Sequence, residues 1–392
     1  MKEVVIVSAV RTPIGSFGGS LSSLTAPELG ATAIGGSIQA AKIKPEDVNE
    51  VIMGNVLTAG VGQAPARQAT LKAGLPDTVP ATTVNKVCAS GMKAVMYAAN
   101  LIQSDEADVV IAGGMESMSN VPFYLPNQRF GNKLGHTQAL DGILRDGLID
   151  IYKDYHMGNA AEICAREHNI SREDQDTFAI ESYNRSQKAT SEGWFKNELV
   201  KVKIRDRKGN VTEVEEDEEV NRVDFDKLRG LRPVFEKDGT ITAANASAIN
   251  DGAAALVVMS ADKAKQLGIK PIARILSQAS AAKDPEWFTT APADAIPLAL
   301  KRAGLTIDDI DLFEINEAFS VVSLANNKLL NLDPAKVNIH GGAVSMGHPV
   351  GCSGARILVT LIHAMHRTNS RYGCAGICNG GGGASAMVLE KL

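Results

Sequence analysis

The sequence is short of the features that send a chain to a membrane, to the cell exterior or to nucleic acid. No apolar run approaches the roughly 20 residues that a membrane-spanning helix needs. The five cysteines are odd in number and irregularly spaced, so they describe neither a disulfide framework nor a zinc site. A net charge of −5 removes the broad positive field that would hold nucleic acid or an anionic membrane, and no stripe of aromatic and basic residues replaces it. A P-loop and a Gly-x-Ser-x-Gly elbow are also missing. Met1 and Lys2 run directly into the strand-like Val4-Val5-Ile6-Val7, and the chain ends Glu390-Lys391-Leu392, which shares only its last two residues with the peroxisomal tripeptide. These absences together give the expectation of a soluble, cytoplasmic protein without a leader peptide.

What is present suits an enzyme. The 392 residues allow two or three domains, and 44% hydrophobic with 22% charged residues is ordinary for a globular chain. The 36 glycines gather in clusters, which mark close approaches of backbone to ligand or to another strand. Val4–Val10, Val51–Gly54, Val109–Gly113, Ala254–Met259, Leu312–Ile315, Ile377 and Met387–Leu389 read as short buried strands. Ala26–Ala41, Val87–Ile102, Pro292–Ala303, Ala318–Leu330 and Ala355–His366 read as helices between them. This alternation predicts an α/β fold with mostly parallel, covered sheets. Cys88-Ala89-Ser90-Gly91 and Cys352-Ser353-Gly354-Ala355 each open a helix, followed by a strand and a glycine cluster, which points to a tandem repeat or to a chance match of small residues. From Ser117 to about Ala248 the pattern turns irregular and includes the acidic run Glu213–Glu219, which reads as an inserted loop or lid domain with a solvated segment.

Four places could carry chemistry. Val87, Gly91, Ala94, Val95, Ala98, Leu101 and Ile102 recur with helical period, which places Cys88 in the first turn of a buried helix, where amides and the helix dipole favour a thiolate. A small buried core cysteine would fit the same pattern. His348 lies in Gly347-His348-Pro349, where the proline forces an extended or turn conformation and a loop histidine can serve a thiol as base, or simply hold the turn. Cys378 precedes Asn379 and Gly380–Gly383, whose amides could form an oxyanion hole. The loose fingerprint Gly381-x-Gly383-x-x-Ala386 is rejected as a dinucleotide site, because six residues remain after it and no βαβ unit can follow. Asn316 follows the strand Leu312–Ile315, where an amide can orient a water or a carbonyl, or cap a helix.

Taken together, Asn85-Lys86-Val87-Cys88-Ala89-Ser90-Gly91-Met92-Lys93, Ala112-Gly113-Gly114-Met115-Glu116-Ser117-Met118-Ser119, Asn316-Glu317-Ala318-Phe319, Gly341-Gly342-Ala343, Gly347-His348-Pro349, Ser353-Gly354-Ala355-Arg356 and Cys378-Asn379-Gly380-Gly381-Gly382 resemble the thiolase family, in its order and across essentially the whole chain. The resemblance implies a thiolase-like α/β fold of two similar βαβαβαββ halves, the first built from residues 1–116 and 249–270, the second from 271–392, with a loop domain at 117–248. It implies a homo-oligomer, a dimer commonly assembled into a tetramer, with Lys133 and its neighbours in the tetramer-building loop. It also assigns roles. Cys88 takes the acyl group as a thioester, His348 helps activate it, and Cys378 moves the proton of the second acyl-CoA. Backbone amides of Cys88 and Gly380 bind one oxyanion; His348 and a water held by Asn316 bind the other.

By the same resemblance, Leu148, His156, Met157, Phe235, Ala243, Ser247, Ala318 and Phe319 line the pantetheine channel, and Arg222 lies toward the nucleotide end of CoA. His156-Met157-Gly158 resembles the short-chain branch, which implies reversible condensation of two acetyl-CoA to acetoacetyl-CoA and CoA. A broader 3-ketoacyl-CoA thiolase and a non-catalytic acyl-CoA-binding relative are the rivals. A ketoacyl synthase is disfavoured because it has no second catalytic cysteine like Cys378. No metal or redox cofactor is expected. Val220 stands where potassium-activated relatives carry a tyrosine, so potassium activation is not expected. His340 and Cys352 depart from the usual family residues without touching the expected chemistry.

Overall fold

Val4–Arg11, buried along its whole length, forms the middle of the molecule. The computed structural model describes residues 2–392. On one side Val4–Arg11 pairs antiparallel with Asn250–Ser260, followed outward by Val109–Ser117, Glu50–Gly54 and Ala81–Val84. On the other side it meets Ala273–Ala282 through two residue pairs, Val5 with Arg274 and Ile6 with Ala273, followed by Gly383–Lys391, Tyr372–Asn379 and Leu312–Ile315. The first half reads βαβαβαββ, with helices Ala26–Ala41, Pro65–Lys72 and Ser90–Gln103 between its strands. The second repeats that order with Pro292–Ala303, Ser320–Leu330 and Val350–Thr368, but its third strand is reduced to a single bridge between Val337 and Phe313.

The expectation of mostly parallel sheets is corrected. Parallel pairing is confined to the outer strands, while the strands around Val4–Arg11 run antiparallel. A strand covered on both faces is continuously apolar in either direction, so the sequence could not tell the two apart. Ala273–Ala282 escaped notice because Ser277, Gln278 and Ser280 interrupt its apolar run.

Helices Ser90–Gln103 and Val350–Thr368 cross in the core, where Ile102, Val95, Ile357 and Leu361 share one apolar cluster. A Cβ on Gly91 would lie 2.7 Å from the Ala355 amide nitrogen, and one on Gly354 would lie 2.5 Å from that of Met92. The contact is reciprocal, so Gly91 and Gly354 are equivalent positions. The internal repeat is therefore real but displaced by one residue: Cys88 corresponds to Gly351, not Cys352.

Between Ser117 and Asn250 the chain forms short hairpins and two longer helices, Met157–Glu167 and Arg172–Ser191. Ser171 and Asp174 cap the second reciprocally. This segment is tied to the central strand by buried Arg11, whose guanidinium donates to Glu198 at 2.6 Å and to both Asp217 oxygens at 2.7 and 2.8 Å. Removing one member of such a buried group costs about 3–5 kcal/mol, because the partner charge is left stranded.

Candidate active site

Cys88 does not lie in the first helical turn, as its period suggested. The helix starts at Ser90, and Cys88 sits in the turn before it. Val87 there adopts φ +48°, a strained setting for a β-branched residue. Side chains hold this turn: Asn85 Oδ1 accepts from the Val87 N–H, while Ser90 Oγ accepts from the Lys86 N–H and donates to the Val87 carbonyl. Cys88 is the one cysteine not fully buried. Its covered surroundings, and more weakly the Glu116 carboxylate, push its thiol up to about 11, against the pull of the Gly380 and Cys88 N–H groups aimed at the sulfur. Two backbone donors therefore converge at this sulfur, an arrangement from which an oxyanion hole could be built.

His348 follows Gly347, whose φ of 104° turns the chain so closely that a Cβ would strike Asn250. The His348 N–H donates to Asn250 Oδ1. Ser353 Oγ donates to the Pro349 carbonyl at 2.9 Å and lies 2.6 Å from His348 Nδ1. The hydroxyl proton is thus committed, which assigns the ring proton to Nδ1 and leaves the Nε2 lone pair without a protein partner. Burial, aided by Arg356, lowers His348 to about 3, so the ring is neutral and able to accept.

Cys378 is buried at the end of Tyr372–Asn379, opposite Ala384 in the ladder. Burial first, then the nearby Cys88, raises its thiol well above the ordinary range. Beyond it the chain turns through Gly381 and Gly382, both at positive φ; a Cβ on Gly382 would lie 2.2 Å from the Lys283 carbonyl. Gly383–Lys391 then returns as a strand, in keeping with the rejection of a dinucleotide helix. Asn316 is buried, and neither its side-chain oxygen nor its nitrogen has a protein partner, although its N–H donates to the Gly376 carbonyl.

Cys88, His348 and Gly380 open into one cleft of about 610 Å³. Leu148, His156, Met157, Arg222, Ala243, Ser247, Ala318 and Phe319 line it as well. Cys378, Asn316 and Phe235 are not on its wall. Phe235 lies behind, its ring 4.6 Å from His156 and stacked on it, and it fits only because residue 158 is glycine: a Cβ there would sit 2.2 Å from the ring. His156 Nδ1 accepts from the Gly158 N–H, capping Met157–Glu167. Ser247 donates through both N–H and Oγ to the Ala318 carbonyl, joining two of the lining segments. Arg222 is mostly exposed and lies 3.7 Å from Glu218 and 3.9 Å from Glu219. The cleft also takes in Ser16, Phe17, Met118, Ile249, Phe288 and Val350, which sequence reasoning did not single out.

Glu116 had no assigned role. Fully buried, it accepts from the Val56, Leu57 and Gly351 N–H groups and from Asn55 Nδ2, thereby tying the start of helix Val350–Thr368 to the Cys88 half. Burial raises it to about 7 against those four donors. Cys352 lies in the apolar core, its thiol pushed up to about 12 by burial.

The sequence matches the thiolase N-terminal domain over residues 4–262 and the thiolase C-terminal domain over 269–391. The chain belongs to the thiolase family. Among similar proteins, the acetyl-CoA acetyltransferase of Schizosaccharomyces pombe is 55% identical over 391 residues, covering all of this chain and 99% of that relative. A cytosolic acetyl-CoA acetyltransferase of Gibberella zeae is 56% identical, covering all of this chain and 99% of the relative. A mitochondrial one of Bos taurus is 57% identical, covering all of this chain and 92% of the relative. This thiolase therefore has full-length relatives bearing both compartment labels, and no helix among its described residues is long and apolar enough to cross a membrane.

Proposed function

We propose that this thiolase is an acetyl-CoA C-acetyltransferase, and that Cys88, His348, Cys378, Asn316 and Gly380 carry its reversible Claisen condensation. The observation that carries the reading is the convergence of the Cys88 and Gly380 N–H groups on a cysteine sulfur in a cleft shared with an unpaired His348 Nε2. The Cys88 sulfur attacks the acetyl-CoA carbonyl carbon as its proton passes to Nε2, and the two amides hold the developing oxyanion. Collapse breaks the carbon–sulfur bond to CoA, which leaves with the proton from His348. Cys378 then passes its thiol proton to His348 Nε2 and, as thiolate, takes a methyl proton from a second acetyl-CoA; burial that raises its affinity for protons makes the thiolate a strong base. During deprotonation the proton now on His348 Nε2 and a water bound by the unpartnered Asn316 amide would face the enolate oxygen. The carbanion forms a bond to the acetyl carbonyl on Cys88, the thioester breaks as the Cys88 sulfur takes the proton from His348, and acetoacetyl-CoA is released. No step calls on a metal or a redox group.

The same reading places Leu148, Met157, Ala243, Ser247, Ala318 and Phe319 along pantetheine, with His156 and Phe235 as a stacked wall and Arg222 at the exposed, nucleotide end. It takes 117–248 as the lid that covers CoA and places the enzyme in the cytoplasm. It expects no potassium effect through Val220, which is buried among Ile14, Ala189, Phe195 and Met346. A tetramer of dimers is supported by Phe130 and Leu134, 87% and 99% exposed on the loop around Lys133. Sedimentation velocity reads that state directly.

The deciding assay is CoA-dependent cleavage of acetoacetyl-CoA beside a longer 3-ketoacyl-CoA. Four-carbon cleavage that falls about 10⁴-fold or more in Cys88→Ala is expected. Equal cleavage of the longer substrate would move the assignment to the broader thiolase, and no cleavage by folded wild type would leave a binding protein.

A further inference from the structure

Lys86 lies two residues before Cys88, half-buried, yet no carboxylate meets its ammonium. Nζ donates instead to Ser385 Oγ at 2.8 Å, to Ser280 Oγ at 3.1 Å and to the Ala384 carbonyl at 3.1 Å, so all three N–H groups are used on neutral oxygens. All three acceptors belong to the second half of the molecule. In the strand pairing Ala384 stands opposite Cys378, Ser385 opposite Ile377, and Ser280 opposite Ser385. At its other end Lys86 is part of the strained turn itself: its N–H donates to Ser90 Oγ, and its carbonyl accepts from the Ala89 N–H. Burial and the like charge of Lys93 lower its ammonium to about 8, which marks the site as costly for a cation and unexplained by charge pairing.

We propose that Lys86 is a positioning residue that sets the distance between the two cysteines, by tying the Cys88 turn to the strand pair that carries Cys378. The inference rests on the acyl-transfer reading above. In that reaction the carbanion formed beside Cys378 must reach the acyl carbon on Cys88. Reacting atoms need to lie about 3–3.5 Å apart, and a displacement of about 1 Å costs on the order of 100-fold in rate. The two cysteines sit on different halves, and strand pairing between the halves is confined to Val5 with Arg274 and Ile6 with Ala273. Glu116 and the helix crossing join the halves on the His348 side; Lys86 joins the Cys88 turn to the strand pair that carries Cys378. Thioester formation on Cys88 uses the turn, the two amides and His348; only the carbon–carbon step needs both cysteines in register.

The test separates those two steps. In Lys86→Met, steady-state cleavage of acetoacetyl-CoA should fall about 10–100-fold with KM changed less than about 2-fold. Single-turnover acetylation of Cys88 by acetyl-CoA, followed by mass spectrometry of the quenched protein, should stay within about 3-fold of wild type. The double variant Ser280→Ala/Ser385→Ala, which removes two acceptors and leaves the lysine, should show the same split, and adding Lys86→Met to it should cost less than the product of the separate losses. If Lys86→Met does not fold, the same split in the serine variant decides the matter alone. Turnover within about 2-fold of wild type would overturn the proposal, as would Cys88 acetylation falling in step with turnover, which would mean a loosened nucleophile turn. Wild type that forms acetyl-Cys88 but cannot cleave acetoacetyl-CoA, or does neither, would sink the acyl-transfer reading and this inference with it, an outcome separate from an active wild type that tolerates the lysine's loss.

Discussion

The loop and helix that begin at Asn85 and those that begin at His348 are built on one plan. With Gly91 matched to Gly354, Asn85-Lys86-Val87-Cys88-Ala89-Ser90-Gly91 lies against His348-Pro349-Val350-Gly351-Cys352-Ser353-Gly354. Valine, serine and glycine coincide, and the serine in each folds back on the turn: Ser90 Oγ donates to the Val87 carbonyl, Ser353 Oγ to the Pro349 carbonyl. What differs is the residue before the valine. In the first unit Lys86 has an N–H, and it occupies the serine oxygen. In the second, Pro349 has none, so the oxygen is left to receive His348 Nδ1. One missing N–H turns a device that braces a backbone turn into one that sets a histidine tautomer. The scaffold occurs twice, and on the proposed mechanism the two copies divide the chemistry, the thiol in one and the base in the other.

That division is open to attack at several depths. The largest effect should come from the serines. Ser353→Ala frees His348 Nδ1 and should lower kcat about 10–100-fold with an altered pH profile. Ser90→Ala strips the acceptor from the Lys86 N–H and should cost chiefly stability, about 1–2 kcal/mol by denaturant unfolding. Equal kinetic losses at unchanged stability would erase the distinction. Next come the glycines of the helix crossing. Gly91→Ala and Gly354→Ala each drive a methyl into backbone of the other helix, and each should destabilise by about 1–3 kcal/mol. Because the contact is reciprocal the two losses should match, read from unfolding at one protein concentration. The smallest effect tests a feature of the second half alone. Burial, with Arg367, holds His340 down to about 3, while its Nε2 accepts from Arg367 Nε. Below about pH 6.5 the unfolded chain binds a proton there that the folded chain refuses, so stability is lost as pH falls. His340→Asn removes that contribution and should lose roughly 1–2 kcal/mol less than wild type between pH 6.5 and 4.5. Parallel acid curves would show that His340 finds its proton in the folded state.

Much of this could be read from the sequence. Ala26–Ala41 and Pro292–Ala303 fall where apolar period and flanking residues put them, because each is amphipathic and carries its own end signals. Cys88 was assigned two residues too deep into its helix, since period sees side-chain faces and not the φ of Val87. Cys88, His348, Cys378, Asn316 and the Gly380 amide stand out by residue type and place, and the channel residues come by resemblance; eleven of the fourteen named line the cleft while Cys378, Asn316 and Phe235 are not on its wall. The partnerships that organise the site were not legible. Glu116 meets Gly351 across 235 residues and Lys86 meets Ser385 across 299, and nothing local in either stretch names the partner. Ser353 was the nearest miss, because it lies five residues from His348 on a helix whose start was read too late.

The turn that carries Cys88 also bears on which reagents its thiol meets as a thiolate. A sulfur held near 11 keeps its proton in the resting state at neutral pH, so peroxide and stray electrophiles, which consume thiolates, find little to attack. On the proposed mechanism, the sulfur becomes reactive chiefly while His348 holds its proton and a carbonyl occupies the two amides. On that mechanism the burial that keeps the resting thiol protonated also dries the site in which it would meet a bound thioester, so loosening the turn would weaken both.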